Sequence, residues 1–452
     1  MGILKNKKYR NISENIPNNS SPQVNEEEAV YKEATAHRKK MIVTGLAIIV
    51  LAESTIVGGM HYIIRKNDLQ TRVIREYQSR HSGSIRLQTG TYEGETNFGY
   101  FFGSGSFAFD SGNYYSGDWD SNLFDGQGEL KVPSEGKYVG EFSEAKKSGH
   151  GVYTWVDGTV YDGNWKNDLM DGRGEYTEPS GVVYKGTFKE GAFSTGDCSF
   201  SNDTGEYLLT YKAGKINTAK IHFADGSNYD GSIEKNSLSG NGTMSFIGGD
   251  EYSGAFKDGK RSGSGIYTWQ NGDEYNGEWK ADKMSGTGKY TFSNGADLQG
   301  TFKNNTFQEG RYHIKNDFGE YLFNIVNGEP NAVAIVLSDG TQFAGDVKDG
   351  GLNGKAQIKY SNGDTYDGNV EDGEKSGNGT YVWESGASYN GDWENDEMSG
   401  RGTYMYPPDE EGYKLVGEFE DGVPEGECKY YTDSSTSYET EWSNGKCIKV
   451  TE

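Results

Sequence analysis

A short pattern, Tyr-x-Gly-x-(Trp/Phe) followed by Gly-x-Gly, restarts every 22 or 23 residues from Tyr92 onward. Its starts run through Tyr115, Tyr138 and Tyr161 to Tyr389, Leu415 and Tyr438, and only the step from Tyr389 to Leu415 is longer. A repeat of this length is one supersecondary unit, and it buries its apolar side only by lying against its neighbours. The period therefore restricts the fold more than any single motif does.

Each unit reads as two short strands. In YDGNW (161–165), Tyr, Gly and Trp fall on one face, which is the period of two that a strand requires. The second strand follows Gly-x-Gly, as in GHGVYTW (149–155). Asp157-Gly158, Asn271-Gly272, Asn294-Gly295 and Asn362-Gly363 separate it from the next unit and predict two-residue hairpin loops. Unit after unit then gives an elongated, single-layer antiparallel meander, all-β. The glycines let aromatic rings lie over the backbone, so a thin sheet can still bury ring area.

A larger period lies above the small one. GVYTWVDGTVYDGNW (151–165) returns as GIYTWQNGDEYNGEW (265–279) and GTYVWESGASYNGDW (379–393), 114 residues apart each time. The units starting at Tyr207 and Tyr321 lose Gly-x-Gly and are more aliphatic, and each closes a block of five. The repeat body, 85–452, thus divides into an entry unit (92–114) and blocks at 115–228, 229–342 and 343–452, with the aliphatic units as irregular joints.

Composition fits extended sheet. Gly is 66 residues, Tyr 32 and Pro only 8. Hydrophobic content of 33% is low, but 13% aromatics argue against disorder. The net charge of −24 is uneven: residues 1–84 carry a surplus of Lys and Arg, so the body is more acidic than the whole. Such a body repels nucleic-acid phosphates, which excludes nucleic acid as a partner. Cys198, Cys428 and Cys447 form no disulfide framework and read as buried structural thiols.

These residues resemble the MORN repeat, a module that carries YxGxW…GxG, and the resemblance runs almost unbroken from about 85 to 452. It implies an elongated antiparallel sheet of about 23 residues per hairpin, and a role in membrane-associated organisation and protein–protein contact.

The only long apolar run is MIVTGLAIIVLAESTIVGGMHYII (41–64). Its 24 residues are enough for a helix to cross a hydrocarbon core about 30 Å thick. It predicts an uncleaved single-pass transmembrane helix, with a basic, disordered tail at 1–40 and a helical or linker segment at 65–84. Glu53, near the middle of the run, is costly in lipid. It reads either as a functional intramembrane contact, or as a carboxyl tolerated through protonation, local water or a self-associating helix. Basic residues flank the span equally, and the HRKK cluster at 37–40 favours a cytoplasmic N-terminus with the repeat body outside.

No catalytic or metal signature stands out. The six histidines are scattered, and neither G-x-S-x-G, H-E-x-x-H nor a P-loop occurs, so an enzyme, a cofactor and a metal are not expected. What remains is the register of Trp155/Trp165, Trp269/Trp279 and Trp383/Trp393. With two-residue loops, Trp155 opposes Val160 and the two indoles of a pair face opposite sides. They either pack on the sheet's own glycines or form a repeated ring patch for a partner. The function expected is a membrane-anchored, non-catalytic scaffold that binds a protein of basic or neutral surface, with self-association possible. A cell-envelope carbohydrate-binding module and an immunity-type, toxin-neutralising protein are the alternatives.

Overall fold

The computed structural model describes residues 81–97, 100–235, 237–408, 410 and 412–451. The expected tail at 1–40, the membrane span with Glu53, and nearly all of the linker lie outside the described residues. Among those described, all regular structure is strand, and no helix is long and apolar enough to cross a membrane. The described residues are all-β, and within each unit the strands run antiparallel, neighbour pairing with neighbour in sequence. They fall into two units, one ending at Lys260 and the other starting at Arg261.

Two kinds of turn alternate. Within a repeat, β8 (Val160–Lys166) and β9 (Leu169–Thr177) are joined by Asn167-Asp168, with φ of 51° and 66°. Two positive φ values in a two-residue loop match the right-handed twist of the strands, and Asn and Asp tolerate them. Between repeats the loop has three residues, not the two expected. After β7 (Lys146–Trp155), Trp155 N–H donates to Thr159 C=O at 2.9 Å and Gly158 N–H donates to Trp155 C=O at 3.0 Å. Gly158 takes φ 89°, and Asp157 Oδ1 caps Thr159 N–H at 2.9 Å. The bond pattern recurs at Asn271-Gly272, Asn294-Gly295 and Asn362-Gly363.

The extra loop residue corrects the register. Tyr153 faces Tyr161 and Gly149 faces Trp165. A one-residue slip moves every side chain to the other face. Trp155 and Trp165 therefore lie on the same face, contrary to the expectation.

That face is the core. Along β8, Tyr161, Gly163 and Trp165 are buried while Asp162, Asn164 and Lys166 are exposed. The Tyr161 ring folds over Gly163 and its cross-strand partner Gly174, and its hydroxyl donates to Asn164 C=O at 3.0 Å. A Cβ on either glycine would come within 2.6 Å of the tyrosine hydroxyl, so both positions need glycine. Tyr115, Tyr275 and Tyr366 make the same bond to the carbonyl three residues on, at 2.8, 3.1 and 2.7 Å.

The aliphatic units are regular strands, not irregular joints. β12 (Gly205–Lys212) pairs with β13 (Lys215–Phe223) at eight positions, and β22 (Gly319–Val326) pairs with β23 (Glu329–Leu337) at eight. Leu209, Ile221, Val333 and Ile335 are buried there in place of rings. Aliphatic residues, β-branched ones above all, suit a pleated, half-buried surface, so losing the glycines costs no pairing. Cys198 and Cys428 are buried as expected, whereas Cys447 is exposed.

Candidate binding face

Of the six indoles singled out from sequence, Trp155, Trp165, Trp269, Trp279 and Trp393 are buried and Trp383 is half-buried. Their rings are engaged by the sheet itself. Trp165 lies edge-on to Tyr161 and Tyr138, with centroids at 5.2 and 5.4 Å, and its Nε1 donates to Gly151 C=O at 2.9 Å. Trp279 and Trp393 make the equivalent bonds to Gly265 and Gly379 at 3.1 and 3.2 Å. Trp155 packs on Tyr153 and Tyr176. The Trp155 and Trp269 indole nitrogens are shielded and meet no acceptor, and an unmet donor costs about 1–3 kcal/mol.

Three cations lie inside this aromatic face, and nothing in the reading of the sequence pointed to them. The Lys147 ammonium sits 5.1 Å from the ring centroids of both Tyr153 and Trp165, and Asp168 lies 3.9 Å away. The Arg261 guanidinium covers Tyr267 at 4.8 Å and Trp279 at 4.5 Å, with Asp282 at 3.3 Å. Lys375 sits 5.6 Å from Tyr381, 5.1 Å from Trp393 and 2.9 Å from Asp396. Each is a cage filled by the chain's own cation, with ring faces and a carboxylate replacing lost water. Burial pushes the Asp168 carboxyl above its ordinary value, against the pull of Lys147. The 114-residue spacing of Lys147, Arg261 and Lys375 is visible in the sequence, but only a position-by-position search for charge in an apolar column would have found it.

A second buried polar element ties loops to strands. Tyr381 hydroxyl donates to Asp364 at 2.5 Å, and Glu384 N–H donates to the other oxygen at 2.8 Å. Those bonds, the tyrosine's first, hold the Asp364 carboxyl below the ordinary range. Burial alone would raise Asp273, but donation from Ser293 N–H and Tyr290 outweighs it and leaves that carboxyl low too. Burial lifts the Tyr176 hydroxyl to about 12.

The opposite face is open and mainly polar, with single exposed aliphatics such as Val139, Leu208 and Ile266. Cross-strand ion pairs cover it, among them Lys185–Glu175 at 2.9 Å, Lys220–Asp230 at 3.3 Å and Arg401–Glu418 at 3.0 Å. Exposed pairs like these add little stability. In the unit ending at Lys260, a groove of about 730 Å³ crosses this face, lined by Ser199, Glu206, Leu208, Lys220, His222 and Asp230 among others. Among the described residues, no three His, Cys, Asp or Glu side chains gather as a metal-holding group.

The MORN repeat model matches residues 115–134, 138–160, 161–183, 252–274, 275–296, 366–388, 389–409 and 416–436. The aliphatic units starting at Tyr207 and Tyr321 fall between the matched stretches. No curated protein matches the chain. Among solved structures, it is similar to the SAS-4 (dCPAP) TCP domain in complex with a Proline Rich Motif of Ana2 (dSTIL) of Drosophila melanogaster. Identity is 12% and TM-score 0.19, over 42% of this chain and 86% of that one. A TM-score that low carries neither fold nor function across. Eight stretches of the chain thus carry MORN repeats, and in those led by Tyr115, Tyr138, Tyr161, Tyr275, Tyr366 and Tyr389 the tyrosine folds over paired glycines.

Proposed function

We propose that the chain is a non-catalytic scaffold that binds a protein partner across the polar face of its repeats, tethered to a membrane by residues 41–64. The observation behind this reading is the division of labour between the two faces. Most of the indoles are spent on packing, and the accessible side chains are mainly polar, with scattered aliphatics such as Val139, Leu208 and Ile266, and repeat strand after strand. A surface of that kind suits a broad contact with a basic or neutral partner, built from many modest interactions.

The test is crosslinked co-purification of the full-length chain from membranes, repeated at rising salt. A defined protein partner that dissociates as salt rises supports the scaffold. Capture that ignores salt, or capture of glycans alone, contradicts it. In the proposed orientation the repeats lie outside the cell, so protease added to intact cells removes them; full protection reverses that assignment.

The groove favours a second reading. Its hydroxyl, amide and charged side chains suit a neutral, hydroxyl-rich ligand, which fits the carbohydrate-binding alternative. Oligosaccharide binding that is lost in Glu206→Gln/Asp230→Asn would favour it over the scaffold.

A further inference from the structure

The residue nine positions after each repeat start is apolar almost throughout, as at Phe101, Phe124, Met170, Met284, Phe307 and Met398. It is basic at Lys147, Arg261 and Lys375. The turn position that faces this residue, 21 residues further on, is Asp168, Asp282 or Asp396 in those three cases. Elsewhere it is Asn, Ala or Gly, as at Asn122, Ala145, Gly191, Asn305 and Gly373. Asp168 Oδ1 accepts the Lys147 backbone N–H at 2.8 Å, and Asp282 and Asp396 accept those of Arg261 and Lys375 at 2.9 and 2.7 Å. Asn122 and Asn305 make that same backbone bond to Phe101 and Met284, both at 2.7 Å. An amide therefore satisfies the turn. A carboxylate appears only where the facing side chain is a cation.

We propose that the three cation–carboxylate pairs are pairing keys, which decide the repeat that each hairpin lies against. Neighbouring repeats are nearly interchangeable: a hairpin docked one repeat out of place exchanges rings for like rings and keeps the same ladder. Hydrophobic burial and backbone bonds then discriminate poorly between right and wrong partners. The keys discriminate well. Slipped by one repeat, Lys147 meets Gly191, and its charge stays buried without a carboxylate, a strongly unfavourable state. Slips of two, three or four repeats also bring Gly or Asn. A slip of 114 residues brings Asp282, so the keys are blind to exchange of whole blocks.

The test uses the full chain in detergent. A sixfold variant replaces Lys147, Arg261 and Lys375 with Met, and Asp168, Asp282 and Asp396 with Asn, copying the Met284/Asn305 pair already present. Wild type and variant are unfolded in denaturant and refolded, then scored for native monomer by light scattering and for melting midpoint. The expected result is an unchanged or higher midpoint with a yield of native monomer about threefold lower or less. An undiminished yield overturns the proposal. A midpoint that falls along with the yield also overturns it, because the pairs would then be ordinary stabilisers. If the sixfold variant is insoluble, Lys147→Met/Asp168→Asn is compared with Asp168→Asn alone. The double variant should keep the midpoint and lose part of the yield, and the single one should lose midpoint. Equal losses of midpoint in both contradict the keys.

Discussion

A tyrosine folded over a pair of glycines is the smallest unit of this structure. Tyr161 covers Gly163 and Gly174 and spends its hydroxyl on Asn164 C=O. Tyr161→Phe removes that bond and should cost about 1 kcal/mol. Gly163→Ala should cost more, about 2 kcal/mol or above, because the new methyl would lie 2.5 Å from Gly174 Cα and 2.6 Å from the tyrosine hydroxyl. Denaturant titration of the two variants checks the order, and equal costs would contradict the packing. Asp364 gives a pH dependence of known sign. Its carboxyl sits below the ordinary value when folded, so it stabilises at neutral pH, and that contribution is lost as acid protonates it. Asp364→Asn should therefore flatten the acid limb of the stability curve. Asp168, raised by burial, contributes with the opposite sign.

At the scale of the hairpin, the period of the sequence marked the strands but not their register. The starts at Tyr115, Tyr161 or Tyr275 fall within strands because the Tyr-x-Gly-x-Trp alternation is local and strong. Loop length was not legible. Asp157-Gly158 fits a two-residue loop or the end of a three-residue one, and only the cap of Thr159 N–H by Asp157 selects the longer. The true two-residue turns gave no uniform signal, since some, such as Asn167-Asp168, carry no glycine and others, such as Glu190-Gly191, do. The caged cations were missed because a lone Lys in a polar repeat reads as surface until the apolar column it occupies is known. The aliphatic hairpins show the reverse, since they lose Gly-x-Gly and keep their strand order. β12–β13 and β22–β23 should exchange amide hydrogens as slowly as the tyrosine-led hairpins beside them, and much faster exchange at 207–228 or 321–342 would contradict the paired strands.

At the scale of the whole molecule, the indoles belong to the protein's interior, and the polar face is the one proposed to meet partners. A repeat protein distributes both roles along its length, so no single side chain should carry binding. Trp269→Phe is accordingly expected to lower stability without a separate effect on partner capture. All eight tryptophans lie in the described repeats, where Trp119, Trp155, Trp165, Trp269, Trp279 and Trp393 are buried and Trp383 and Trp442 are half-buried. The most direct measurement is therefore acrylamide quenching of tryptophan fluorescence in the native full-length chain. Buried indoles should give a blue-shifted emission with a minor quenchable fraction, and most of that fraction should be lost in Trp383→Phe/Trp442→Phe. Uniform, efficient quenching of the native protein would place the indoles on an open surface and contradict their burial.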